Sequence, residues 1–269
     1  GVSGSPGTRE GKALDPTGDD TDLVLSWVDQ MVRCTNPFVE RMAFFWHRHW
    51  ANSREAVSPP QLLLRQNALF RRYWLGSFRQ LALAVTRDPA MLLWLSGTDN
   101  TKWSPNENYA RELMELFTLG AGRGYTERDV REQARALTGF RNDWREGVGP
   151  TRFRFDRERH DLGSKRIFGR RGKFDWRDAV ELCVKHPRHP SFFVSKLWGY
   201  FSPRPCPPNL LRQLARTYRA AGTDVKPVLR QILNHKLFYA GLDEPDMVKS
   251  PLVYTAGLLR LTNTPVDDE

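Results

Sequence analysis

The stretch Trp103-Ser104-Pro105-Asn106-Glu107-Asn108-Tyr109-Ala110-Arg111-Glu112-Leu113-Met114-Glu115-Leu116-Phe117-Thr118-Leu119-Gly120 decides the fold class. Ser104-Pro105 pairs a good N-cap with proline at the first helical position. Glu107 stands at the third helical position, which completes a capping box. Tyr109, Leu113, Leu116 and Phe117 then recur at steps of three and four, the period of one helix face. Gly120 sits where a C-cap would. The pattern predicts an amphipathic helix over 105–119.

The same punctuation recurs on both sides. Asn36-Pro37, Ser58-Pro59 and Asp88-Pro89 are further helix starts, and so are Thr126 to Asp129 and Asp175 to Asp178. Helical apolar spacing runs through 62–74, 179–184, 192–201, 210–218 and 228–237. Strand signals are few, and Phe153-Arg154-Phe155 is the best short one. The expected fold is all-α: a single multi-helix globular domain over 23–269, with a disordered tail at 1–22 and one long irregular basic loop at 141–173.

The 269 residues are 40% hydrophobic and 27% charged, a globular balance. The net charge is +10, from 41 basic and 31 acidic residues, and only nine of the basic residues are lysines. This excludes an acidic solvating protein and leaves room for an anionic partner such as nucleic acid, acidic glycan or a membrane surface. Arginine-rich usage is also what a GC-rich genome produces. Yet the tail is acidic, and 141–173 holds eleven basic against five acidic residues, so the excess gathers in that segment. Such a segment inside a compact domain is usually functional or mobile. No apolar run reaches the roughly 18–20 residues of a membrane span. Cys34, Cys183 and Cys206 form no Cys-x-x-Cys pair, which disfavours a zinc knuckle.

Three groups carry candidate chemistry. Asn108, Arg111, Glu112 and Glu115 fall on one stripe of the predicted helix. They could hold a cation or form a general acid and base. Equally, Arg111 lies four residues from both Glu107 and Glu115, so ordinary ion pairs would satisfy a wet face. In Phe44-Phe45-Trp46-His47-Arg48-His49-Trp50 the two histidines lie about 200° apart on a helix and cannot share an ion. A buried His47 against Glu112 and Glu115 would make a metal or acid–base cluster, and a hydrogen-bonded core histidine is the plainer outcome. His160-Asp161, followed by Gly163 and Lys165, is a third, weaker pair. His186, His189 and His235 read as structural residues near helix ends. No nucleophile elbow, Walker loop, dinucleotide fingerprint or His-Glu-x-x-His is present. Phe70-Arg71-Arg72-Tyr73-Trp74 mixes basic and aromatic residues at helical spacing, with the aromatics expected inside. No nucleic-acid module is found, so nucleic acid is not the expected partner.

The opening stretch, with Gly124-Tyr125-Thr126-Glu127 and Ala134-Arg135-Ala136-Leu137-Thr138-Gly139, resembles the bacterial family called domain of unknown function 1800. Phe45-Trp46-His47, His160-Asp161 and Phe193-Val194-Ser195-Lys196-Leu197-Trp198 are similar to its other motifs. The resemblance runs from about residue 23 to 261. It implies an exported bacterial protein, periplasmic or extracellular, encoded near a second exported protein with an alkaline-phosphatase-like fold. Typical members are longer at the N-terminus, so the chain begins partway into the family pattern.

Together these readings set one leading expectation and two alternatives. The first is a pocket doing hydrolytic or acid–base chemistry, with Glu112, Glu115, His47 and Arg111 as catalytic residues. His47, Glu112, Glu115, His160 and Asp161 would be ligands for a divalent metal, and Arg111, Lys165 and Arg166 would hold an anion. The alternatives are a non-enzymatic companion of the second exported protein, and binding of an anionic polymer through 141–173.

Overall fold

The computed structural model describes residues 8–9, 12–240 and 248–266. In chain order they form β1 (Thr8–Arg9), β2 (Lys12–Ala13), α1 (Asp20–Arg33), α2 (Pro37–His49), α3 (Pro60–Arg72), α4 (Phe78–Val85), α5 (Pro89–Trp94) and α6 (Asn108–Glu112). A π-helical turn (Leu113–Leu119) follows, then α7 (Glu127–Ala136), β3 (Phe140–Arg145), β4 (Gly149–Phe155), β5 (Lys165–Ile167) and β6 (Arg170–Gly172). The chain closes with α8 (Trp176–Val184), α9 (His189–Phe201), α10 (Pro208–Ala220), α11 (Val225–Leu233), α12 (Lys236–Tyr239) and α13 (Pro251–Thr262). The protein is mostly helical but not purely all-α. Part of the segment expected as a tail is structured: β1 pairs with β2, and α1 begins at Asp20 with Asp19 capping it.

Three of the helix starts read from the sequence work through their side chains, whereas Asn36 makes no side-chain cap, α3 starts after Pro59 without one, and the capping box expected at Ser104 gives way to a helix that starts at Asn108. Thr126 with Asp129, and Asp175 with Asp178, form reciprocal capping boxes. Asp88 caps α5 through Ala90 N–H. Three helices converge on an aromatic core in which Trp46, Trp50, Phe78 and Phe193 are fully buried. Trp46 and Phe193 stack nearly parallel, with ring centroids 5.8 Å apart. Each such side chain removes 150–250 Å² from water, roughly, so this cluster dominates the core.

The helix expected over 105–119 is instead a short α6 that widens into the π turn. A widened turn that ends at a glycine in positive φ leaves its last carbonyls to side-chain donors. Gly120 has φ +93°, a conformation that side chains rarely adopt. Lys196 Nζ donates to Leu116 O at 3.0 Å. His49 Nε2 meets Phe117 O at 3.1 Å, and His189 Nδ1 meets Thr118 O at 3.1 Å. A ring nitrogen facing a carbonyl must carry the proton, which sets both tautomers. Tyr218 then donates to His189 Nε2 at 2.9 Å. Burial pushes the His189 pKa down to about 4 and that of His49 well below the ordinary range. His189 is therefore structural, as its sequence position suggests.

The segment 141–173 is not an irregular loop. Its core is two β-hairpins. β3 pairs antiparallel with β4, with a register shift between Arg141 and Asp143, and Phe140 lies opposite Phe155. β5 and β6 join through Phe168-Gly169, both at positive φ, which is the two-residue turn that matches strand twist. Phe168 is an unusual residue there. Its ring packs 4.9 Å from His186, so tertiary contact overrides local preference.

Candidate anion-binding groove

The residues expected to form one pocket fall in separate places. His47 sits on α2 with its ring edge-on to Trp27, centroids 5.0 Å apart, beside a cavity between α1, α2 and α3. The fully buried histidine of the motif is His49, in the aromatic core. Glu112 and Glu115 lie instead beside Arg111 and Tyr125. Among the described residues no three His, Cys, Asp or Glu side chains come together to hold a metal ion. The structure thus does not assemble the shared centre of His47, Glu112 and Glu115.

Arg111 is occupied. It holds Glu107 at 3.0 Å, Glu127 at 2.8 Å and Glu115 at 3.5 Å. The pairing with Glu107 and Glu115 is the ion-pair reading of the stripe. Glu112 keeps its Oε2 buried without a hydrogen-bond partner, and burial together with Glu115 raises its pKa.

His160 and Asp161 lock the hairpin segment onto α7. His160 Nδ1 lies 2.9 Å from Thr138 O, and Asp161 N–H donates to Thr138 Oγ1 at 2.8 Å. Asp161 also pairs with Arg135 at 2.7 Å. Gly139 permits this docking: a Cβ there would sit 3.0 Å from Asp156 O and 3.1 Å from the His160 Cβ. Lys165 is 1% exposed and points inward, donating to Asp161 O and to Gly163 O. It is an internal brace with no free face for an outside anion. Arg166 keeps an exposed side chain, while its backbone N–H goes to Glu132 at 2.7 Å.

The concave surface that does gather charge lies beside the first hairpin. A cleft of about 600 Å³ is bounded by α3, the α4–α5 corner, β4 and the start of α8. Arg65, Arg72, Arg87, Arg154 and Arg177 edge it, and Phe153, Phe155 and Trp176 form its walls. Phe153 and Phe155 share a strand face because they are two apart on β4. A second cleft of about 600 Å³ runs on between the start of α3 and the hairpin tip at Val148 and Pro150. Arg65 and Phe153 line both clefts, so the two adjoin as one elongated groove.

Within the groove, Arg154 pairs with Asp143 at 2.9 Å and Arg177 with Asp175 at 3.5 Å. Among the described residues Arg65, Arg72 and Arg87 form no ion pair with a carboxylate. Aromatic rings position two of them without neutralising their charge: the Arg87 guanidinium lies 5.5 Å from the Trp176 centroid and that of Arg72 lies 5.7 Å from Tyr73. The one acid in the first cleft is Asp88, 4% exposed. Burial raises its pKa to about 7, against smaller opposing effects from Ala90 N–H, Arg65 and Gln66. The groove is therefore strongly cationic, and more so when Asp88 is protonated.

Sequence reasoning found the basic segment but not this site. Arg65, Arg72 and Arg87 lie on helices far from it in sequence, and nothing in their spacing marks them as facing one hairpin. The nearest signal was the mixture of arginine and aromatic residues at 70–74. There Phe70 is buried as expected, whereas Arg72 and Tyr73 open onto the groove.

No curated protein and no solved structure matches the chain. The family profile described as "Protein of unknown function (DUF1800)" matches residues 14–268, nearly the whole chain. The interlocking of Thr138 and Gly139 with His160 and Asp161, and of the π turn with Lys196, joins the stretches that carry the resemblance in the sequence, and the chain belongs to the DUF1800 family.

Proposed function

We propose that the chain binds an anionic polymer, a flexible chain bearing regularly spaced carboxylate, sulfate or phosphate groups, along this groove. The observation that carries this reading is the row of Arg65, Arg72 and Arg87, which form no ion pair with a carboxylate among the described residues; all three edge the first cleft, and Arg65 also edges the second. A groove of this length suits an extended ligand. Planar guanidinium groups bind carboxylate, sulfate or phosphate bidentately and keep their charge at any physiological pH. The half-buried rings of Phe153 and Phe155 offer an apolar wall for the parts of the ligand between charges.

The test is a titration of fluorescently labelled heparin by anisotropy, with neutral dextran as the control. Saturable binding of heparin, no binding of dextran, and loss of affinity of about 10-fold or more in the triple variant Arg65→Gln, Arg72→Gln, Arg87→Gln would support the reading. Heparin binding that is absent, or equal in the triple variant, overturns it.

A second reading rests on Glu112. Its buried, unpartnered Oε2 has Glu115 as a neighbour, and Glu115 in turn meets the Tyr125 hydroxyl, an arrangement suited to proton transfer. It would be an acid–base pair held by Arg111. Hydrolysis of a panel of ester and phosphate substrates, lost in Glu112→Gln, would support it, and no turnover by the wild type would count against it.

A further inference from the structure

Between α2 and α9 lies a separate cavity of about 190 Å³, lined by Phe45, Arg48, His49, Lys196, Gly199 and Tyr200. It plays no part in the groove. Its volume admits a molecule of only a few heavy atoms. No carboxylate lines it.

Three side chains in it are unusual together. Lys196 Nζ is held by Leu116 O at 3.0 Å, at the end of the π turn. Burial brings the Lys196 pKa down to about 8, and the neighbouring Arg48 guanidinium adds to it. Arg48 itself lies 5.9 Å from the Tyr200 ring centroid and has no carboxylate partner among the described residues. His49 is 3% exposed and lines the cavity; its Nε2 is committed to Phe117 O, and its Nδ1 is buried without a partner. That leaves an acceptor lone pair on Nδ1.

We propose that this cavity is a covalent site for a small aldehyde or keto acid, with Lys196 as the amine that forms an imine and Arg48 as the partner of the ligand's carboxylate. A desolvated lysine beside a second cation is the setting that makes an amine nucleophilic. A neutral Lys196 can keep one N–H on Leu116 O while its lone pair turns to the ligand. That lone pair forms the C–N bond as the carbonyl π pair moves to oxygen. The two amine protons then leave with that oxygen as water, and C=N remains. The arrangement needs no cofactor and no redox partner.

The experiment is reductive trapping. The full chain is incubated with glyoxylate and sodium cyanoborohydride near pH 7.5, and each lysine is followed by peptide mass spectrometry. The expected result is carboxymethylation of Lys196 about 10-fold or more faster than the mean of the other lysines, since a lowered pKa enlarges the neutral fraction. Arg48→Gln should slow trapping of glyoxylate several-fold more than trapping of acetaldehyde, which has no carboxylate and loses only what the loss of the Arg48 charge takes from the neutral amine. Gly199→Leu should block both, because Gly199 lines the cavity and a side chain added there meets no heavy atom within 4 Å. Lys196→Arg keeps a donor for Leu116 O, and its thermal melt checks that the fold survives. Even labelling across the lysines, or selective labelling that Gly199→Leu leaves intact, overturns the proposal.

Discussion

At the π turn, Lys196, His49 and His189 each meet a backbone carbonyl, and two of the three are buried. Arg111 and Arg135 nearby are both paired with acids, the first with Glu107, Glu115 and Glu127 and the second with Glu132 and Asp161. Along the groove the pattern reverses. Arg65, Arg72 and Arg87 face solvent, the last two beside aromatic rings, with no paired acid among the described residues. The same residue type thus serves two purposes in one fold. Where arginine is paired it fixes the relative placement of α6, α7 and the hairpins. Where it is unpaired it leaves charge for something else to neutralise.

The sharpest contrast is between a core ring and a groove ring. Phe193→Ala removes a fully buried side chain from the aromatic cluster and should cost about 3–5 kcal/mol. Phe153→Ala, half-buried on the groove wall, should cost about 1 kcal/mol or less in stability yet weaken heparin binding. Urea unfolding and anisotropy on both variants measure the two effects. If Phe153→Ala unfolds the protein as readily as Phe193→Ala, the groove wall is simply more core.

Acid should attack the π-turn region first. His189 is held neutral, with its pKa pushed down to about 4, whereas in the unfolded chain it titrates near 6.5. Its contribution is fully present above pH 6.5 and is lost as pH falls from there toward 4, by about 3 kcal/mol in all. His49 acts in the same direction. Stability measured by urea unfolding should therefore fall steeply over that window, and His189→Gln should flatten the fall. An unchanged acid limb in that variant would show that other groups control it.

How much of this was legible in the sequence depends on whether the cause was local. The capping boxes at Thr126 and Asp175 and the Asp88 cap are local, and the sequence shows them. The fully buried aromatic core follows from helical spacing. The π turn was not legible: its sequence has ordinary α spacing, and the side chains that take its carbonyls come from residues 49, 189 and 196. The hairpins were partly legible, through Phe153-Arg154-Phe155, but arginine-rich strands with a register shift lack clean alternation. The site residues divide in the same way. The Arg111 ion pairs with Glu107 and Glu115 follow from spacing, whereas the grouping of Arg65, Arg72 and Arg87 against β4 is tertiary.

A smaller effect separates the groove from its floor. Asp88 should titrate near pH 7, and its ionised form repels an anion. Heparin affinity should rise a few-fold, about 3-fold, as pH falls from 8 to 6. Asp88→Asn, which keeps a good N-cap, should bind with the same affinity across that range. A pH response that persists in the variant would place its source elsewhere. The smallest effect expected is that of Arg111→Gln on heparin affinity, which should be unchanged because Arg111 is already neutralised by its own carboxylates.

The most direct measurement is the salt dependence of heparin affinity for the wild type, the triple arginine variant of the groove and Arg111→Gln. Removing one arginine that neutralises an anionic group should lower the slope of log affinity against log salt by about 1. The expected result is a slope shallower by about 2–3 in the triple variant and a wild-type slope in Arg111→Gln. Equal slopes in all three proteins would contradict the claim that the unpaired arginines of the groove are where the anion binds.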